Sequence, residues 1–273
     1  MPFLQEDHYV KGLFVREAAP KGTSSIRTPI LMVHGVSHGW WVYEKWLPFF
    51  AVSGWHAYAL SLRNHTGSYA VPKETYLRMT LADYVEDVRS VLEWLDRPCV
   101  LVGHSMGGLI VQKAAERETP RAVVLVASVG PGQLGSMRDP LPADRPLLFD
   151  EQEARRLWFH HIDEKTFASV YSRIVPESPS VMNDYSGGRI HVDQEAIGCP
   201  VLAVGAEHDR TVVHDFRAIA EFYGCESLFV PGAGHDLMLE PGASDVAIRI
   251  NQWLLTRLAD QGLTIEAAPR IPT

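Results

Sequence analysis

The apolar positions of this chain fall into short continuous runs, set apart by stretches of helical period. The runs are Pro29–His34, Ala57–Leu62, Pro98–Val102, Arg121–Ala127, Pro200–Gly205 and Ser227–Val230. A strand covered on both faces reads this way, because no side of it is reserved for polar residues. Between the second and third runs, Leu81, Val85, Val88, Leu92 and Leu95 recur at spacings of three and four with acids among them. That period predicts a helix over Leu81–Leu95. Similar patterns predict helices from Leu109 to Ala115, over 214–223 and over 243–260. Residues 8–18 (HYVKGLFVREA) read as a strand or short hairpin at a sheet edge. Strands alternating with helices predict an α/β fold with a mostly parallel central sheet and helices on both faces. No internal repeat or low-complexity tract interrupts the alternation.

The alternation lapses over residues 131–195. The stretch opens on Pro131-Gly132, holds Pro140, Pro142 and Pro146, and then turns helix-like and aromatic with Trp158, Phe159, Phe167 and Tyr171. A structureless loop of that length is unusual in a compact domain. An inserted cap explains it better, so residues 1–130 and 196–273 are expected to form the core and residues 131–195 the cap.

Composition narrows the partners. With 273 residues, 46% hydrophobic and 21% charged, the chain can bury one large core. A formal net charge of -8 argues against nucleic-acid binding, which needs a basic face, and gives no support to binding at anionic membranes. Cys99, Cys199 and Cys225 each fall near the start of a strand with no paired spacing, as small buried hydrophobes would in a reducing compartment. The segment Met1–His8 has acids where a secretory signal carries basic residues, and no run reaches the length of a membrane span. A cytoplasmic location is expected.

The chemistry concentrates at Gly103-His104-Ser105-Met106-Gly107-Gly108, between the apolar run ending at Val102 and the helical pattern from Leu109. A strand, a glycine-flanked serine and a helix make the context in which G-x-S-x-G becomes a nucleophile elbow. A serine on so sharp a turn needs slim neighbours, and the amides at the helix start face developing negative charge. Its hydroxyl still needs a base, and the base an orienting group. In open α/β sheets such groups gather beyond the carboxyl ends of strands. Glu207-His208-Asp209 follows one such strand and Gly234-His235-Asp236 another, so the order serine, acid, histidine is present, with Glu207 and Asp209 both open as the acid. Asp236 reads as a local loop residue.

With these motifs the chain resembles the α/β-hydrolase-fold superfamily, in an esterase-like branch where a histidine-glycine turn precedes a tryptophan-rich helix start, here His34-Gly35-Val36-Ser37-His38-Gly39-Trp40-Trp41. The resemblance implies Ser105 as nucleophile, His235 as base, Asp209 as orienting acid, and the backbone amides of Val36 and Met106 as the oxyanion hole. Such enzymes commonly carry an arginine-glycine-histidine-glycine loop; here Arg63-Asn64-His65-Thr66 replaces both glycines. Asparagine tolerates the left-handed conformation such a turn uses.

No H-E-x-x-H or Cys/His spacing is present, so no metal and no cofactor are expected. His34, Trp40, His104, Trp158 and Phe159 are the candidates for the substrate pocket, with hydrogen bonding to the oxyanion loop the competing role for His34. The expected reaction is acyl transfer to water from a carboxylic ester or thioester of a small to medium apolar molecule. Haloalkane dehalogenases and epoxide hydrolases of this fold use an aspartate at the elbow, which Ser105 argues against. Perhydrolase or haloperoxidase activity, carbon–carbon bond hydrolysis, hydroxynitrile cleavage and a slow-turnover ligand receptor stay as alternatives. Nothing in the pattern encodes an oligomeric state.

Overall fold

The computed structural model describes residues 2–259 apart from Thr23 and Ser25. Its strands are β1 (Phe3–Val10), β2 (Leu13–Pro20), β3 (Ile30–Val33), β4 (Ala57–Leu60), β5 (Val100–His104), β6 (Ala122–Val126), β7 (Val201–Ala206) and β8 (Glu226–Val230). They form one sheet of eight strands in the order β1-β2-β4-β3-β5-β6-β7-β8. The expected edge hairpin is β1 and β2, antiparallel and joined through Lys11 and Gly12, both at positive φ as a tight hairpin turn needs. It begins at Phe3 rather than His8, because most of β1 faces solvent and carries no apolar run to mark it. From β4 to β8 every pairing is parallel. The inner strands β3, β4, β5 and β6 are buried at every position, which is why they read as continuous apolar runs. The edge strand β8 is mostly exposed, so Cys225 before it is only half-buried, unlike Cys99 before β5.

The helices are α1 (Trp46–Val52), α2 (Lys73–Tyr76), α3 (Leu81–Leu95), α4 (Met106–Ala115), α5 (Glu151–Trp158), α6 (Glu164–Tyr171), α7 (Pro179–Ser186), α8 (Phe216–Tyr223) and α9 (Ala243–Ala259). The last helix is described to Ala259; residue 260 and the rest of the stretch to 273 lie outside the described residues. Sheet order decides the faces. The chain steps one way from β3 to β4 and back the other way to β5, so right-handed crossovers put α1 and α3 on opposite faces. α4 packs beside α3, and Tyr223 of α8 donates to Gln112 of α4 at 2.7 Å, while α9 packs on α1. Thr80 and Asp83 form a reciprocal capping box that starts α3.

Between β6 and β7 the chain leaves the sheet. The proline-rich part is irregular, and α5, α6 and α7 follow, each started by a side chain that accepts from its first turn: Asp150, Asp163 and Ser178. Within the stretch, Leu147 and Glu177 form an isolated antiparallel bridge. Among the described residues, no helix is long and apolar enough to cross a membrane.

Candidate active site

Ser105 stands between β5 and α4 at φ 54° and ψ -122°, a conformation that L-residues adopt only under constraint. The constraint is hydrogen bonding. Its N–H donates to Val126 O at 3.0 Å, and its carbonyl accepts from Gly108 N at 2.9 Å and Val129 N at 3.0 Å. The slim neighbours are required by distance. A Cβ on Gly103 would lie 2.4 Å from Gly107 O, one on Gly107 2.3 Å from Val33 O, and one on Gly108 2.0 Å from Ser128 Oγ. Ser105 is buried at 3% exposure.

The acid and the histidine meet. Asp209 follows β7, His235 follows β8, and His235 Nδ1 donates to Asp209 Oδ2 at 2.9 Å. The other carboxylate oxygen of Asp209 accepts from Thr211 N at 2.8 Å and Val212 N at 3.1 Å, which fixes the carboxylate. Burial works against the Asp209 charge, yet His235 and the two amides hold its pKa below the ordinary value. Burial also works against a charged His235, but the Asp209 carboxylate outweighs it and raises the histidine above its ordinary value. The alternative acid lies elsewhere. Glu207 is exposed and accepts from Gly232 N at 2.8 Å, because the chain turns at Glu207-His208 instead of staying extended.

The turn after β3 presses on the elbow, and its histidines split by role. His34 Nδ1 donates to Gly35 O at 2.8 Å, and its Nε2 accepts from Leu62 N at 3.0 Å. Burial, then neighbouring His65, keeps His34 well below its usual pKa, in agreement with that neutral form. On one side of the turn stands Glu177, a fully buried carboxylate that sequence reasoning missed. It accepts from Ser37 N at 3.2 Å, His65 Nε2 at 3.1 Å, Tyr84 Oη at 2.6 Å, Tyr76 Oη at 3.2 Å and Ser178 N at 2.9 Å. On the other side, His38 Nε2 donates to Asp236 Oδ2 at 3.1 Å. Asp236 lies in the loop after β8 but is fully buried there, and His38 above all holds its pKa below the ordinary value against the burial.

Of the pocket candidates, His104 lies beside His235 and Trp158 beside its neighbour Asp236. His104 Nε2 donates to His235 O at 3.1 Å, its Nδ1 has no partner, and burial followed by the nearby His235 pushes it down to about 3. Trp158, ending α5, accepts at its carbonyl from Asp236 N at 2.9 Å and packs its ring 4.7 Å from that of His38. Phe159 packs edge-on to Phe167, and its carbonyl carbon would sit 2.9 Å from a Cβ on Gly234. Trp40 is set apart, with Phe14 at 5.7 Å and the Arg16 guanidinium 4.1 Å over its ring. His34 is occupied by its own loop. Glu240, also missed, accepts from Gly234 N at 2.8 Å and His161 N at 3.1 Å, and so joins the segment after α5 to the loop carrying His235. In the substituted loop, Asn64 takes φ 63°, Thr66 Oγ1 accepts from Trp41 Nε1 at 3.3 Å, and Arg63 pairs with buried Asp87 at 2.6 Å.

Residues 30–244 match the Alpha/beta hydrolase family, and the chain belongs to that family. Salicylic acid-binding protein 2 of Nicotiana tabacum is 24% identical over 238 residues, which make up 77% of this chain and 90% of that protein. A monoacylglycerol lipase of Paleococcus ferrophilus superposes with a TM-score of 0.70 at 20% identity, covering 90% of this chain and 99% of the other. A serine hydrolase involved in carbazole degradation gives a TM-score of 0.69 at 19% identity, covering 93% and 100%. These likenesses show a shared fold.

Proposed function

We propose that this protein is a serine hydrolase that cleaves a carboxylic ester or thioester of a small to medium apolar molecule. The carrying observation is the Asp209–His235 hydrogen bond, which occupies Nδ1 and leaves Nε2 as the basic nitrogen; the ring of His104, the residue before the strained Ser105, lies 4.7 Å from that of His235. Ser105 Oγ attacks the carbonyl as Nε2 takes its proton. The backbone amides of Val36 and Met106 hold the oxyanion, the latter helped by the start of α4. The imidazolium returns the proton to the leaving alcohol or thiol, and water then releases the acyl group by the same route. Residues 131–195 are a cap over this site, with Trp158 and Phe159 facing the acyl or alcohol part; the chemistry needs no metal or cofactor.

A second reading, a slow-turnover receptor for a small ligand, is favoured by the relative named for binding salicylic acid. Turnover separates the two. Sustained hydrolysis of p-nitrophenyl esters of graded chain length supports the hydrolase, whereas ligand-induced stabilisation without turnover supports the receptor. Perhydrolysis, carbon–carbon cleavage and hydroxynitrile cleavage use the same residues and belong in the same substrate panel.

A further inference from the structure

One buried ion pair beside the triad takes no part in the chemistry above. His38 and Asp236 are 1% and 0% exposed. His38 Nδ1 contacts Val36 O at 2.5 Å, and its Nε2 contacts Asp236 Oδ2 at 3.1 Å. The ring thus bridges a peptide carbonyl and a carboxylate, both of them acceptors. A carboxylate this deep loses several kcal/mol of solvation that an apolar residue of similar size would not lose. The pair's place in the fold gives it a use. At one end it grips Val36, which supplies the first oxyanion amide; at the other it grips the residue joined to the base, His235. Asp236 N also donates to Trp158 O at 2.9 Å, which ties this end to the close of α5, and Asp236 Oδ1, which makes no hydrogen bond, lies 3.5 Å from His104 Nε2.

We propose that His38 and Asp236 are positioning residues that act as one strut, setting the distance and angle between the oxyanion turn and the catalytic base. This role rests on the serine-hydrolase reading. Glu177 holds the same turn from the opposite side through Ser37 N, so loss of the strut leaves the turn attached but free to shift towards or away from the elbow. A misplacement of this size costs transition-state stabilisation while leaving ground-state binding in place.

The test uses the full chain with p-nitrophenyl butyrate, active sites counted by fluorophosphonate labelling, and a trifluoromethyl ketone as mimic of the oxyanion. In His38→Ala and Asp236→Ala, kcat per labelled site should fall about 10- to 100-fold with KM within about twofold. Affinity for the ketone should fall by the same factor, and the double variant should lose no more than either single one. A merely structural pair would lower the labelled fraction and leave the rate per labelled site unchanged, which overturns the proposal, as do losses that multiply in the double variant. Should either alanine variant fail to fold, His38→Gln and Asp236→Asn, which keep one hydrogen bond and remove the charge, are read by the same criteria. Ser105→Ala in the same assay separates the two levels. If it hydrolyses the ester as fast as the wild type, the serine-hydrolase reading fails and takes the strut with it; if only the strut variants match the wild type, the strut alone fails.

Discussion

Gly35 lies so close to Ser105 that a Cβ on it would stand 2.8 Å from the serine's Cβ and 3.0 Å from Nδ1 of His104. The turn supplying Val36 is therefore set directly against Ser105, at a separation only glycine permits. Gly35→Ala should lower stability by about 1–3 kcal/mol in urea unfolding, the usual range for overpacking. It should also slow fluorophosphonate labelling. Labelling at the wild-type rate would show that this close approach has no bearing on reactivity.

The orienting acid is tested by comparing two substitutions. Asp209→Asn keeps the shape but removes the charge facing His235 and allows the wrong imidazole tautomer, so kcat should fall by about 10⁴. Glu207→Gln disturbs an exposed contact to Gly232 N and a 3.8 Å approach to His208, and should leave kcat within about twofold. A larger loss from the glutamate change would exchange their roles.

Protonation of the base sets a direction in pH. In its proposed role as base His235 must be neutral, and Asp209 raises its pKa above the ordinary 6.5 despite burial. Activity should therefore fall as pH drops through a midpoint above 6.5. Removing the carboxylate in Asp209→Asn should move that midpoint to lower pH in whatever activity remains. A kcat/KM profile with the same acid limb in both proteins contradicts the coupling.

Glu177 carries a separate prediction, about stability. Five donors converge on it, and His65, fully buried, faces it with a pKa raised by that carboxylate against the cost of burial. Glu177→Ala strands the buried His65 ring, Tyr84 Oη and the Ser37 and Ser178 amides, while Tyr76 keeps Pro176 O at 2.7 Å, and should cost about 3–5 kcal/mol in chemical denaturation. A cost below about 1 kcal/mol would mean that water replaces the carboxylate freely.

What the sequence revealed follows the physics of each part. Inner strands buried on both faces must be apolar throughout, so β3 to β7 were legible as runs, and Gly103, Gly107 and Gly108 marked the elbow because no other residue fits there. β1 was half-missed since an exposed edge strand carries no such constraint. Following a strand marked Asp209 and Glu207 alike, and only the family resemblance favoured Asp209; its pairing with His235 is a contact across 26 positions that only the sheet order creates. Glu177, Glu240 and Asp236 resemble ordinary surface acids in the chain, because burial is decided by what packs over them. The same holds for Trp40, whose neighbours Phe14 and Arg16 come from β2.

The central claim is that Ser105 is the nucleophile, and the most direct measurement is covalent labelling by a fluorophosphonate probe alongside ester turnover in wild type and Ser105→Ala. The expected result is one equivalent of label on Ser105 in the wild type, none in the variant, and a loss of kcat by about 10⁶. Undiminished hydrolysis by a folded Ser105→Ala protein, or label recovered on another residue, would contradict it.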